Sequence, residues 1–265
     1  MPYFGSHGGP YGPSTNLYND LLCKFFEYCN SNNIDSTFIA LSLEASEGLN
    51  DKIKSKYYID ERIGQVSDIP IYSPNIEKDL FDHYHVKTRN AIRKANKVEN
   101  ISLVINPELD LFKKIIDLHI KNITALGGIP KDLDHFNLLK SFSGKGYTFR
   151  VATYLINSEI ACALISLITS KTFEYFTPVL NPNYRSSQLL SRLIHNELIY
   201  ASFLKLKYWN WGGTWPSQEG VYRFKSRWGA RSFPYYYLMS QKNEKVRSSC
   251  EKGEAKFDYM YKYKF

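Results

Sequence analysis

The sequence predicts a mixed α+β fold with a largely antiparallel sheet. Three observations predict it. From Ile101 to Met239, segments with strand and helix character follow the order strand, helix, helix, three strands, helix, strand, helix, strand. The three consecutive strands are joined by the tight turns Asn157-Ser158 and Ser170-Lys171, which make antiparallel neighbours. The 265 residues, 43% hydrophobic and 23% charged, have an ordinary globular composition, enough for one large domain or two small ones.

The chain opens on a loop rich in Gly, Pro and Tyr. A helix is expected from about Thr15 to Cys29, because Leu17, Leu21, Leu22, Phe25 and Phe26 recur at helical spacing and Ser14 or Thr15 can cap it. Asn30 to Asn33 reads as a turn, Thr37 to Leu43 as a strand, and Lys56 to Ile63 as a weaker one. Pro70 and Pro74 break the chain before a long helix from Asn75 to Lys97. Its start is apolar and acidic and its end basic, which suits the helix dipole. Arg89, Arg93 and Lys97 make one stripe, either a solvated helix end or a phosphate-facing edge.

Ile101 to Ile105 is a short strand. Asn106-Pro107-Glu108 supplies a cap and a first-turn Pro for a helix that stops at Gly127-Gly128. His119 lies beside its apolar stripe and reads as a packed core histidine. Leu133 to Phe142 is a short helix, followed by the strands Thr148–Leu155, Ile160–Thr169 and Thr172–Leu180. A helix from Ser186 to Lys205, a strand from Leu206 to Trp211, a helix around Lys225 and a strand from Phe233 to Met239 complete the order. Ser240 to Glu254 is polar and reads as mobile, and the end, FDYMYKYKF, reads as an edge strand or a surface-binding tail.

A formal charge of +8 favours acidic partners: phosphates, nucleic acid or anionic lipid. Cys23, Cys29, Cys162 and Cys250 form no C-x-x-C pair, and no His lies at zinc-like spacing, so a reduced, cytoplasmic protein without a metal is expected. The start lacks the apolar core of a signal peptide, and the longest apolar run, Ile160 to Ile168, is too short to span a bilayer. A membrane role would therefore be at the surface.

The segment Tyr208 to Ala230, YWNWGGTWPSQEGVYRFKSRWGA, concentrates the chemistry. On a helix, Val221, Phe224 and Trp228 share one face, and Lys225 lies only about 40° from Val221 at its edge. Arg223 and Arg227 fall on the other side. An interior-facing Lys either snorkels or is aimed into a pocket.

The element order from Ile101 matches that of the GNAT acyltransferase fold, and the chain resembles Fem-type (FemAB-like) and BioF2-like GNAT acyltransferases. The best-known of these are the peptidyltransferases that build peptidoglycan cross-bridges. Three stretches carry the resemblance: PYFGSHGGPYG at Pro2 to Gly12, KTRNAIRKANK at Lys87 to Lys97, and the Trp209 to Ala230 block with its G-G and F-K elements. It implies two GNAT-like halves and transfer of an acyl group to a primary amine. Residues 1–97 would form a partial half ending in a basic linker helix. Residues 98–240 would form the complete GNAT-like domain, and 241–265 a polar tail. The front half would lack its first strands. By matched position, Lys225 corresponds to the family's F-K lysine, Gly212, Gly213, Tyr222 and Arg223 belong to the same block, and Arg93 and Lys94 match the linker helix. One departure concerns coenzyme A. The phosphate-cradling R/Q-x-x-G-x-G/A pattern is replaced by Asn183-Tyr184-Arg185-Ser186-Ser187-Gln188, without glycine, although Arg185 and Ser186 can still meet an anion.

Acyl transfer to an amine needs deprotonation of the amine, oxyanion stabilisation and alignment. No nucleophile signature implies a covalent step, so direct attack is expected. Lys225 is the candidate for the oxyanion or a donor phosphate, and Glu174 and Tyr175 for proton handling or acceptor contact. Glu174 alternates with Thr172 and Phe176, so it points either to the site or to solvent. Trp211 and Trp215 flank the double glycine as cleft walls or core residues. The expected function is therefore an N-acyltransferase acting on an amine of a cell-envelope precursor or amino sugar, possessing an acyl-coenzyme A or aminoacyl-tRNA donor. The acceptor is expected to be linked to a nucleotide or lipid diphosphate. The alternative is a non-catalytic protein that binds nucleic acid or an anionic surface.

Overall fold

The computed structural model describes residues 15–34 and 36–241. The glycine-rich stretch at Pro2 to Gly12, Cys250 and the C-terminal tail lie outside them. The described chain forms two compact units: the first holds residues 15–34, 36–64, 213–222 and 232–241, the second 65–212 and 223–231.

The first unit contains helices α1 (Thr15–Ser31), α2 (Leu43–Glu47) and α3 (Asp51–Lys56), and strand β1 (Ser36–Ala40). It also contains the start of β2 (Tyr58–Asp68) and most of β8 (Arg231–Gln241). The strand order is β1-β8-β2, with β1 and β8 antiparallel. Leu22 and Phe26 of α1 pack with Ile39, Leu41, Ile53 and Leu238 into a buried cluster. Asn19 ties α1 to the α2–α3 corner: its Nδ2 donates to the Gly48 carbonyl at 2.8 Å and its Oδ1 accepts from the Asn50 N–H at 3.1 Å. The strand expected to reach Leu43 stops at Ala40, because the Ser42 hydroxyl accepts from the Ala45 N–H and starts α2.

The second unit contains α4 (Ile76–His83), α5 (Val86–Ala95), β3 (Ile101–Ile105), α6 (Leu109–Ala125), α7 (Leu133–Ser141), β4 (Thr148–Ile156), β5 (Glu159–Ile168) and β6 (Thr172–Leu180). A 3₁₀ turn (Pro182–Ser187), α8 (Leu189–Phe203) and most of β7 (Tyr208–Thr214) follow. The helix α9 (Glu219–Ser226) enters this unit at Arg223. Strand order is β7-β6-β5-β4-β3. The β3 to β6 meander is antiparallel throughout, and β6 and β7 run parallel. The meander turn at Asn157 and Ser158 has φ of 48° and 67°, the left-handed geometry of a tight hairpin.

Helices cover both faces of this sheet. On one face Phe112, Ile115 and Ile116 of α6 and Phe136 and Leu139 of α7 bury against Phe149, Val151, Ala163 and Ile165. On the other, Leu189, Leu193, Ile194 and Leu198 of α8, with Leu80 and Ile92 of α4 and α5, bury against Ala152, Tyr154 and Leu164. β5 is covered on both sides, which is why it reads as a continuous apolar run rather than an alternation. Each fully buried Phe, Ile or Leu contributes about 1.5–3 kcal/mol. One ion pair crosses the α8 face: Arg150 Nε and Nη2 donate to Glu197 at 2.6 and 3.0 Å, and the guanidinium lies 3.9 Å from the Tyr200 ring centroid.

Several local expectations are corrected. The helix read from Asn75 to Lys97 is two helices, broken at Tyr84-His85. The His85 N–H donates to the Arg227 carbonyl at 2.9 Å while its ring caps the Lys87 N–H, so tertiary hydrogen bonds outcompete helix continuation. Lys97 then falls beyond α5, and the Arg89 guanidinium donates to the Phe81 carbonyl, so the three-residue basic stripe is not formed. Asn106 is no cap: at φ 49° its Oδ1 accepts from the Val151 N–H, and α6 begins only after Glu108.

Candidate functional site

The candidate site lies where β6 and β7 part. The strands pair over Thr172↔Tyr208, Phe173↔Trp209 and Glu174↔Asn210. The ladder ends there, although β6 continues to Leu180 and β7 to Thr214. The cause is local. Asn210 Oδ1 accepts from the Gly212 N–H at 2.9 Å, an Asx turn, and Gly212 takes φ +70°, a left-handed conformation that glycine adopts at the least cost. The turn falls where the β6–β7 ladder ends, just past Asn210.

Polar groups converge on this point. Glu174 is 6% exposed, and its Oε1 accepts from Asn210 Nδ2 at 3.1 Å. Lys225, 5% exposed, reaches back from α9 to donate from Nζ to the Gly212 carbonyl at 3.3 Å. Glu174, Asn210, Gly212 and Lys225 thus form one hydrogen-bonded chain within the second unit. Burial pushes the Lys225 amine down to about 8. At pH 7 it remains charged by roughly ten to one.

Aromatic side chains wall the gap. Tyr175, the first β6 residue past the ladder, has its ring 5.0 Å from Trp211, the first past it on β7. Burial holds the Tyr175 phenol well above its ordinary value, so it stays protonated and can donate a hydrogen bond, but it is neither an acid nor a base near neutral pH. Trp211 packs on Trp209, Trp228 and Phe224, and its indole N–H donates to the Ser67 hydroxyl at 2.9 Å. Ser67 in turn donates to the Trp228 carbonyl at 3.2 Å. Gln65 Nε2 to Ser226 Oγ at 3.0 Å, and Thr88 Oγ1 to the Arg227 carbonyl at 3.1 Å, fix the turn that ends α9. These bonds anchor the helix that carries Lys225.

Of the residues singled out by sequence, Glu174, Gly212 and Lys225 join one hydrogen-bonded chain through Asn210, and Tyr175 and Trp211 pack on each other at the next positions of the same strands. Glu174 is buried, not solvated. Val221, read as part of the buried face of α9, is exposed. Arg223 is exposed. Arg185 and Ser186 are exposed in the 3₁₀ turn after β6, where Gln188 takes φ 60° without a glycine. Arg93 and Lys94 are exposed on α5. Arg93 donates to Asn90 Oδ1 and lines a pocket with Phe81 and Arg89, apart from the Lys225 chain. Gly213 and Tyr222 belong to the first unit. A Cβ on Gly213 would sit 2.6 Å from the Tyr235 ring, and the Tyr222 hydroxyl accepts from Ser232 Oγ at 3.2 Å. Trp215, in the same unit, stacks on Arg62 at 3.8 Å.

Asn210 was not singled out, although an Asn two residues before a Gly is an Asx-turn signal. The buried His119 accepts the Lys131 N–H at 3.3 Å, as expected of a core histidine, and burial, then the Lys131 charge, holds it down at about 4.

The sequence matches no protein-family model and no curated protein. Solved structures do match. FemX superimposes with a TM-score of 0.64 at 9% identity, over 89% of this chain and 79% of that one. The C-terminal domain of a candidate lysylphosphatidylglycerol synthetase from Agrobacterium fabrum gives 0.58 at 11%, covering 95% and 86%. A tandem GNAT protein from the clavulanic acid biosynthesis pathway gives 0.53 at 10%, covering 85% and 70%. The chain has a GNAT-like fold. At such identities the likeness is one of fold alone. Among the described residues no helix is long and apolar enough to cross a membrane.

Proposed function

We propose that this protein is an N-acyltransferase that moves an acyl or aminoacyl group to a primary amine. The observation that supports this reading best is the Glu174–Asn210–Gly212–Lys225 chain at the parting of two parallel strands. A buried carboxylate and a buried ammonium joined through Asn210 and Gly212 supply a base and a cation, the two groups that amine acylation calls on. Glu174, oriented by Asn210, takes the proton from the acceptor ammonium. The free amine attacks the donor carbonyl directly, forming the C–N bond. Lys225, charged at neutral pH, faces the oxygen that becomes negative; as the intermediate collapses, the bond to the donor's sulfur or ribose oxygen breaks and that atom takes the proton the attacking nitrogen sheds, leaving as a thiol or hydroxyl. Tyr175 and Trp211 exclude water from the gap. Arg185 and Ser186 are proposed to meet donor phosphate, and Arg93 and Lys94, Arg223 and Tyr222 to meet other parts of the substrates.

The acceptor class we favour is an amine of a cell-envelope precursor or amino sugar, supported by the Fem-type motifs and by the names of the FemX and lysylphosphatidylglycerol synthetase structures. The donor is acyl-coenzyme A or aminoacyl-tRNA. The missing phosphate-loop glycines favour neither outright, since Gln188 adopts the left-handed turn itself. Thermal unfolding with each donor separates them, because a bound donor stabilises by mass action. Transfer assays with donors of both classes and amine acceptors test the reaction. No transfer with any donor, by protein whose unfolding transition is intact, would overturn it.

A further inference from the structure

The N-terminal ends of β6 and β7, upstream of the point where the strands part, carry a surface of different character. Three segments of the second unit are knotted there by backbone hydrogen bonds. The Ile69 N–H donates to the Lys207 carbonyl at 2.9 Å, and the Lys207 and Tyr208 N–H groups donate to the Lys171 carbonyl at 2.8 and 3.1 Å. Ser202 Oγ donates to the Pro70 carbonyl at 2.7 Å.

From this knot apolar side chains project outward. Ile71 is 89% exposed and Phe203 60%. Tyr72 meets Phe203 edge-on, with ring centroids 5.5 Å apart, and is itself half exposed, as is Tyr208 nearby. The charged residues in segments 69–72, 170–172 and 202–208 are Lys171, Lys205 and Lys207, all exposed, and no carboxylate occurs among them. Lys205, at φ 60°, turns the chain from α8 into β7.

We propose that this face docks on an anionic lipid surface. The chemistry fits that occupant at each level. Ile71 and Phe203 stand proud of the backbone, so they can enter the acyl boundary, where a flat protein partner would leave them only partly covered. Tyr72 and Tyr208 have the apolar body and polar tip that suit the headgroup level. The three exposed lysines supply cations for lipid phosphates, and the adjacent carboxylate, Asp68, is paired with Arg231 at 2.8 Å. The proposal does not depend on acyl transfer, since it concerns a surface at the opposite end of the paired segment from Glu174 and Lys225.

The test is flotation of the full chain with vesicles of phosphatidylglycerol mixed into phosphatidylcholine, and with phosphatidylcholine alone. Binding to the mixed vesicles is expected, weakening as salt rises. The double variant Ile71→Ser/Phe203→Ser changes only exposed side chains. It should keep the wild-type unfolding transition and lose roughly tenfold or more in vesicle affinity. Each of Lys171→Gln, Lys205→Gln and Lys207→Gln should lower it roughly fivefold. An Ile71→Trp variant should show a blue-shifted emission on mixed vesicles. The proposal is overturned if the wild-type chain does not float, or if the double variant floats as well as wild type. A dimer in sedimentation that the double variant dissolves would assign the face to a second copy instead and equally overturn it.

Discussion

Replacing Lys225 by Met should make the folded protein more stable at neutral pH while removing its proposed activity. Lys225 is buried, and desolvation lowers its amine from 10.5 to about 8. At about 1.36 kcal/mol per pH unit, holding the charge in place costs about 3 kcal/mol. Because the folded pKa is the lower one, this penalty is complete below about pH 8. Between about 8 and 10.5 the unfolded chain binds more protons than the folded one, so stability rises with pH and the penalty fades. Methionine has similar length and no charge, so it removes the penalty. It also leaves the Gly212 carbonyl without its 3.3 Å donor, at a cost of about 1 kcal/mol. The net is a gain of about 2 kcal/mol at pH 7 that shrinks above pH 8 and becomes a small loss near pH 10.5. Urea denaturation of both proteins across pH 6.5 to 10 measures it, since titration of every other group cancels in the difference. A difference that is independent of pH, or a destabilised variant at pH 7, would refute the reasoning about the buried charge. Transfer activity should fall about 10²-fold or more in the same variant.

Three further outcomes are expected. Glu174→Gln keeps an acceptor for Asn210, so stability should hardly change while the rate of amine acylation drops about 10²-fold or more, measured by initial rates against acceptor concentration. Gly213→Ala places a methyl 2.6 Å from the Tyr235 ring and should cost about 1–3 kcal/mol in urea denaturation. Glu197→Ala leaves a partly buried Arg150 charged without its two hydrogen bonds, and should cost about 2–3 kcal/mol by the same measurement, whereas replacing both partners by apolar residues should restore most of it.

Elements whose signal is local were legible in the sequence. β3 matches its expected range, and the β4 to β6 meander is recognisable from two tight turns between apolar runs. The stop of α6 at Gly127, φ 72°, follows from glycine chemistry alone. The failures share a cause, which is competition from groups distant in sequence. The Asn75 to Lys97 pattern is helical throughout, yet Arg227, more than a hundred residues away, captures the His85 N–H and breaks it. Asn106 looks like a cap, yet it is drawn to the Val151 N–H. For the site, helical spacing singled out Lys225 at the edge of an apolar face but left snorkelling and inward aim open, and Val221 of that face is exposed, so the burial of Lys225 comes from packing. Glu174 could not be assigned to interior or solvent, because strand alternation fixes a side but not what covers that side.

By itself, the sequence determined the α+β class and the strand and helix order from Ile101 onward, since periodicity and turn residues act over a few positions. Only the tertiary structure decided that Glu174 is buried, that Asn210 links it to Gly212, and that β6 and β7 part at that pair. Those facts depend on which strands become neighbours. Pairing of two parallel strands separated by a whole helix is set by the closing of the core on both faces of the sheet, not by any residue's own preference.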